Sequence, residues 1–319
     1  MIDEKEMSMD PIICVAGPTA SGKTDLAVAL ARELGGEVVS CDSMQVYRRM
    51  NIGTAKPTAE EMGEIPHHML DVCDPDEDFS VSRYCAMATP IVEDILARGK
   101  TAVIAGGTGL YMDSLIRGND FAPYPATGRR EALEAQAEAE GIEPLMERLR
   151  AIDPDTAARL HLSDRRRIIR ALEIYEETGR TMTQHNLDTQ AKPPRFAPLW
   201  LGLDFEDRQT LYDRIDLRVD RMLDLGLMEE IEALLSSGVP PRATALQAIG
   251  YKEFVAALAG EITMDQAIAD VKRGSRRYAK RQLTWFRRNP GMHWLTRRDG
   301  EDASHIFSRA RAKVREFDF

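Results

Sequence analysis

Residues 17–24 read Gly-Pro-Thr-Ala-Ser-Gly-Lys-Thr, and residue types in that order can hold a phosphate. Gly17 and Gly22 let the backbone wrap close to phosphate oxygens, Lys23 adds a point charge, and the Thr24 hydroxyl can hold Mg²⁺. Pro18, Thr19, Ala20 and Ser21 complete the candidate phosphate site. The loop alone leaves open whether the phosphate belongs to ATP, GTP or another diphosphate ester. Asp42, after the apolar run 37–41, is the second candidate. A carboxylate there suits either a Mg²⁺ ligand or the acceptor of a proton from a nucleophile, and both roles stay open. The run 101–105 ends in Gly106-Gly107-Thr108-Gly109, where a nucleotide hydrolase would carry a Walker B aspartate. That disfavours a motor ATPase and favours a transferase whose metal is held mainly by substrate phosphates and water.

Basic residues supply a second kind of chemistry. The net charge is −10, but the stretch 271–289 holds eight Lys or Arg and no acid. Arg273, Arg277, Lys280, Arg281 and Arg288 follow helical spacing there, Ala279, Leu283 and Phe286 mark the core-facing side, and Tyr278 and Trp285 flank the stripe. Such a face suits phosphate-backbone contacts and base stacking, because a polyanion responds to local charge rather than to net charge. Arg165, Arg166, Arg167 and Arg170 form another cluster. In the stretch 207–225, Arg214 and Arg218 are four residues apart and share a helix face, which could bring an arginine fork to a leaving diphosphate. His67-His68 has no Cys or carboxylate at ligand spacing and reads as a pair of hydrogen-bonded loop residues.

The elements that must position these groups alternate. Strand-like runs at about 11–16, 37–41, 101–105 and 199–204 interleave with helical patterns, the rhythm of a parallel sheet with crossover helices, and in such a sheet ligands sit at the carboxyl ends of the strands. The expected fold class is α/β, a P-loop parallel-sheet core at 1–120 and 199–319 with C-terminal helices. Proline-rich brackets enclose an all-helical insertion at 121–198, with helices at about 129–140, 143–151 and 164–178. Past residue 207 the pattern is helical at 207–225, 227–236, 245–259, 263–288 and about 303–316. Pro90 predicts a kink or break in the helix at 80–98. No apolar run reaches the ~20 residues of a membrane span, and the first ten residues carry no export pattern, so the cytoplasm is the expected compartment. The four cysteines form no C-x-x-C pair, and Cys14 and Cys41 read as core thiols.

Taken together, the blocks Gly-Pro-Thr-Ala-Ser-Gly-Lys-Thr (17–24), Asp-Ser-Met-Gln-Val-Tyr (42–47), Asn-Ile-Gly-Thr-Ala-Lys-Pro (51–57), Gly-Gly-Thr-Gly-Leu-Tyr (106–111), Arg-Arg-Ile-Ile-Arg-Ala-Leu-Glu (166–173), Gln-Ala-Ile-Gly-Tyr-Lys (247–252) and Lys-Arg-Gln-Leu-Thr-Trp-Phe-Arg (280–287) closely resemble the bacterial tRNA dimethylallyltransferases. The resemblance implies transfer of a dimethylallyl group from dimethylallyl diphosphate to N6 of the adenine immediately 3′ of the anticodon, by a monomer using Mg²⁺. It places Thr19, Ser21, Gly22, Lys23 and Thr24 on the diphosphate, Arg218 beside it, and Asp42 as proton acceptor; Asp42, Thr19 and Arg218 are the implied catalytic residues. It also implies tRNA contacts from Asp42, Ser43, Met44 and Gln45, from Thr108, and from Arg130, Arg166, Arg167, Ile168, Ile169 and Arg170. Further implied contacts are Gln247, Ala248, Ile249, Gly250, Tyr251 and Lys252, then Lys280, Arg281, Gln282, Leu283, Thr284, Trp285, Phe286 and Arg287. The helical insertion would hold the anticodon stem-loop. Two rival readings remain: a P-loop small-molecule kinase, because Asp42 also suits deprotonation of a hydroxyl acceptor, and a non-catalytic RNA chaperone.

Overall fold

A computed structural model of the chain describes residues 9–119, 127–191 and 193–317. The elements run β1 (Pro11–Ala16), α1 (Lys23–Leu34), β2 (Glu37–Ser40), α2 (Ala59–Met62), β3 (His67–His68), α3 (Val81–Ala97), β4 (Ala102–Gly106) and α4 (Gly109–Arg117). A helical run follows: α5 (Arg129–Ala139), α6 (Glu143–Ile152), α7 (Pro154–Ala157), α8 (Arg165–Thr178) and α9 (Met182–Ala191). Then come β5 (Ala197–Phe205), α10 (Arg208–Asp224), α11 (Leu227–Ser236), α12 (Lys252–Leu258), α13 (Met264–Phe286), β6 (Met292–Arg297) and α14 (Ala303–Glu316).

The six strands form one parallel sheet in the order β3-β2-β4-β1-β5-β6. Strand β1 is central, with Ile13 level with Val103 of β4 and Leu199 of β5. Ile12, Ile13, Cys14, Val15 and Ala16 are fully buried, as a strand covered by helices on both faces must be. One core cluster joins Ile13, Val15 and Leu201 to Leu26, Ala27 and Leu30 of α1 and to Ile306 and Val314 of α14. The carboxyl ends of β1, β2 and β4 thus open side by side, which sets the place of the ligand crevice.

The chain divides into two compact units, one reaching to Gly118 and resuming at Arg195, the other spanning Asn119–Pro194. Strand β5 already pairs at Ala197 and Pro198 with Pro11 and Ile12, and the Arg195 N–H donates to the Ile116 carbonyl at 2.7 Å. The helical unit has its own core, with Leu133, Leu145, Leu149, Ile168 and Leu172 buried together. The bracketing residues 121–126 and Lys192, and residues 1–8, lie outside the described residues.

Several sequence expectations need correction. Helix α3 runs unbroken through Pro90, an exposed position, because Tyr84, Cys85, Ala88, Val92 and Ile95 anchor the buried face on both sides of it. The helix expected at 245–259 is a 3₁₀ turn (Ala245–Gln247) and α12, parted at Gly250, whose φ of 94° a helix cannot accommodate. Helices α7 and α9 exceed the three expected in the insertion. Strands β3 and β6 exceed the four expected, and His67-His68 is that short β3 rather than a loop. All four cysteines are free and buried.

Glu37 opens β2 with a side chain only 4% exposed. Its carboxylate takes Arg98 on both oxygens, at 2.5 and 3.0 Å, with Lys100 at 2.8 Å and the His68 Nε2 at 2.7 Å. Arg98 first, then Lys100 and His68, hold it far below the usual carboxylate range against the opposing effect of burial. A depressed carboxylate stabilises the fold fully above its unfolded pKa, ~4.3, and that contribution is lost as pH falls below it. Glu37→Gln is therefore expected to lower the melting temperature by roughly 3–6 °C at pH 7, with the gap to wild type closing below about pH 4. Equal melting at pH 7 would remove Glu37 as a pH-linked anchor of the sheet.

Candidate active site

The phosphate loop leaves β1 and reaches α1 through Gly22, so the first-turn amides of α1 and the Lys23 and Thr24 side chains face the crevice. Lys23 Nζ donates to the Pro18 carbonyl at 2.6 Å, and the buried Ser21 hydroxyl donates to the same oxygen at 2.8 Å. Around this loop lies a polar cavity of about 470 Å³ lined by Thr19, Ser21, Lys23, Thr24, Asp42, Arg214, Arg218 and Arg221, among others. Burial first, then the neighbouring Arg218, push Lys23 down to about 7, with Asp42 opposing. Burial likewise lowers Arg218. Arg218 stays charged, whereas a lysine desolvated and crowded in this way regains its charge readily when an anion enters.

Helix α10 delivers the arginines. Arg214 Nε donates to the Ala20 carbonyl at 3.0 Å, and Arg218 Nη2 reaches the Thr54 carbonyl at 3.4 Å. Arg214 and Arg297 both stack on Phe205, each 5.6 Å from the ring centroid, which holds two like charges near the loop.

Asp42 follows β2. Its Oδ1 accepts from the Met44 and Gln45 amides at 2.8 and 3.3 Å, which fixes the side chain and turns Oδ2 to its other side. The loop after β4 locks onto this turn: Thr108 Oγ1 accepts from the Ser43 amide at 3.1 Å. Asp42, Thr19, Thr54, Arg218 and Tyr278 also line a second cavity of about 260 Å³. Its remaining wall is largely apolar, with Ile215, Val219, Met222, Val271, Ala248 and Ile249. Burial first, then the Asp42 charge, push the Tyr278 phenol up to about 12, so it remains a donor. A cation-rich cavity and an apolar one thus meet at one carboxylate.

Residues 45–289 match the family model described as IPP transferase, and residues 11–74 match that described as isopentenyl transferase. The chain belongs to the IPP transferase family. It is 47% identical over 286 residues to a tRNA dimethylallyltransferase of Thermoanaerobacter sp. (strain X514), covering 89% of this chain and 91% of the relative. It is 49% identical over 284 residues to tRNA dimethylallyltransferase 1 of Citrifermentans bemidjiense, covering 89% and 91%. Among solved structures, the tRNA isopentenylpyrophosphate transferase of Bacillus halodurans matches at 41% identity and a TM-score of 0.71, over 97% of this chain and 98% of that one. A eukaryotic dimethylallyltransferase acting on tRNA matches at 31% identity and a TM-score of 0.81, over 97% and 79%. The small-molecule kinase reading is not favoured by these relatives.

In this IPP transferase the residues expected to touch tRNA divide by exposure. Arg166, Arg167, Lys252, Lys280, Arg281, Thr284, Arg287 and Gln247 are exposed. Ile168 and Ile169 are core residues of the helical unit, while Tyr251, Leu283 and Phe286 are buried in the larger unit, so their side chains cannot reach an RNA surface. Their helical or loop neighbours carry any contact. Gln45 is also committed internally: its amide donates to the Thr54 and Ala55 carbonyls and accepts from Ser40. Arg130 and Arg170 both pair with Glu173, and Arg287 pairs with Asp204 at 2.8 Å.

The stretch 271–289, which holds no acid in sequence, meets several in space. Arg276 takes both oxygens of Asp216, Lys272 pairs with Asp220 at 2.6 Å, and Arg273 pairs with Asp270. Trp285 donates its indole N–H to Asp113 at 2.8 Å. The outward charge is left to Arg277, Lys280 and Arg281, the last lying 5.4 Å from the Tyr278 ring centroid. Sequence reasoning missed Glu230 of α11. Its carboxylate accepts from the amides of Asn51, Ile52 and Gly53 and from the Tyr251 hydroxyl at 2.6 Å, so it shapes the loop that carries Thr54 to both cavities. The Gly-Thr-Ala-Lys-Pro composition of 53–57 signals that loop; nothing local marks Glu230.

Proposed function

We propose that the protein transfers a dimethylallyl group from dimethylallyl diphosphate to N6 of the adenine immediately 3′ of the anticodon in tRNA, releasing diphosphate. The observation that carries this reading is the meeting of the polar and apolar cavities at Asp42. Lys23 and Arg218 would hold the diphosphate, and Ile215, Val219 and Met222 offer apolar surface to the five-carbon chain and keep water from it. The N6 lone pair forms the new C–N bond, the allylic C–O bond breaks with its electron pair leaving on diphosphate, and the N6 proton passes to Asp42. An adenine N6 is a weak nucleophile, so a placed base and a stabilised leaving group are both required. The adenine must leave the anticodon stack to reach the crevice.

The residues fit Mg²⁺. Thr24 lines the polar cavity with Asp42, and no group of three or more His, Cys, Asp or Glu suited to a metal occurs among the described residues. Such a donor set suits an ion that keeps several waters and takes substrate phosphates. Thr24 would hold it, and when bound it would neutralise charge on the diphosphate.

The test is incubation with Mg²⁺, unmodified tRNA and either prenyl-labelled dimethylallyl diphosphate or γ-labelled ATP. Prenyl label is expected in tRNA; transfer of the γ-phosphate instead would overturn the reading. Binding to tRNA is expected to depend strongly on salt despite the net charge of −10. Neutralising Arg277, Lys280 and Arg281 together should weaken it and lower the slope of log K against log salt by roughly 0.7–0.9 for each tRNA phosphate no longer neutralised. An unchanged slope would make this face of α13 merely solvated.

A further inference from the structure

We propose that Gln282 positions the phosphate loop for transfer and does not contact tRNA. The residue lies in the basic stretch of α13 but is only 5% exposed. Its Oε1 accepts from the Thr19 amide at 3.0 Å, and its Nε2 donates to the Gly107 carbonyl at 3.0 Å. One side-chain amide therefore ties the loop after β1 to the loop after β4. Gly107 is shaped to it: a Cβ there would stand 2.1 Å from the Gln282 Nε2.

The tie acts where the phosphate loop most needs one. Ala20, next to Thr19, adopts a φ of 62°, a left-handed conformation that costs a non-glycine residue energy and persists only when neighbours hold it. Gln282 grips the amide on one side of this residue, and Arg214 grips the Ala20 carbonyl. Two further side chains of α13 act close by, Tyr278 at both cavities and Trp285 on Asp113 of helix α4. The inner face of the helix is a clamp on the strand ends, while Lys280 and Thr284 face outward and the exposed Arg281 also borders the smaller cavity.

This assignment rests on the transfer reaction proposed above, and its test separates the two. Gln282→Met, which removes both hydrogen bonds at similar volume, is expected to lower the single-turnover rate at saturating donor and tRNA by roughly 10- to 100-fold, the scale of a misplaced reacting group. Affinity for tRNA and its salt slope should stay within about twofold of wild type, because the outward cations of α13 are untouched. Gln282→Glu keeps the acceptor for Thr19 but sets a carboxylate against the Gly107 carbonyl, and should be no better. Weakened tRNA binding with an undiminished rate would make Gln282 an RNA contact and overturn the assignment, as would a wild-type rate in both variants. Hydrogen exchange of the wild-type protein gives a readout independent of mutant folding and of activity: the Thr19 amide is expected to be protected, and exchange at an unprotected-loop rate would also overturn it. Failure of the wild-type protein to prenylate tRNA would sink the proposed function while leaving the exchange result intact.

Discussion

Asp42→Asn is expected to cut the single-turnover rate of prenyl transfer by about 10²–10⁴-fold while leaving donor affinity within about twofold. The substitution keeps the side-chain shape, and an amide oxygen can still accept from the Met44 and Gln45 amides, so the turn should survive. What it removes is the basic oxygen on the other side of the group, where both cavities meet. Donor affinity should hold because, on the proposed reading, Lys23, Arg218 and the loop amides would supply the charge that meets the diphosphate. A variant with more than about half of the wild-type rate would take Asp42 out of the base role, whereas loss of donor binding with the rate preserved would assign it to the metal.

Lys23→Met is expected to weaken diphosphate and dimethylallyl diphosphate alike, by about 10–100-fold, the usual range for removing a charge-assisted hydrogen bond. Its second signature is a proton. With Lys23 near 7 in the free protein, a bound anion raises its pKa, so binding above neutrality draws a proton from solvent. The lysine contribution to affinity is complete below pH 7 and fades as pH rises through that value toward the pKa of the complex. Calorimetry in two buffers of different ionisation enthalpy should find uptake approaching about one proton per diphosphate at roughly pH 8–9 and little at about pH 6. The ligand's own titration is common to both proteins, so the difference between wild type and Lys23→Met isolates the lysine. No difference in uptake would mean that Lys23 is already charged in the free site.

The local parts of the site were legible in the sequence and the long-range ones were not. The loop at 17–24 is contiguous, so its glycines, lysine and hydroxyls speak for themselves, and the four inner strands show as apolar runs because parallel strands are buried on both faces. Strand β3, two residues long, offers no pattern to read. The stretch 271–289 contains no acid, yet Asp216 and Asp220 reach it from α10, because neighbours in a helical layer come from distant sequence. Gln282 sits among basic residues and reads with them as an RNA contact; its partner Thr19 is 263 positions away. Spacing places Leu283 and Phe286 on the core side of α13, and the structure buries them there.

The chain departs from the α/β unit just after Ile116 and is fastened again at Arg195, by a hydrogen bond between those two residues, before the sheet resumes. The neck of the excursion is thus closed on itself. For the sheet, the stretch Asn119–Pro194 is a loop whose length adds little entropic cost once its ends are pinned, since doubling a loop costs only about 0.6 kcal/mol. Lineages can therefore lengthen, shorten or exchange that excursion without renegotiating the register of β1 with β5. The chemistry of the crevice and the length of the excursion are free to change at different rates.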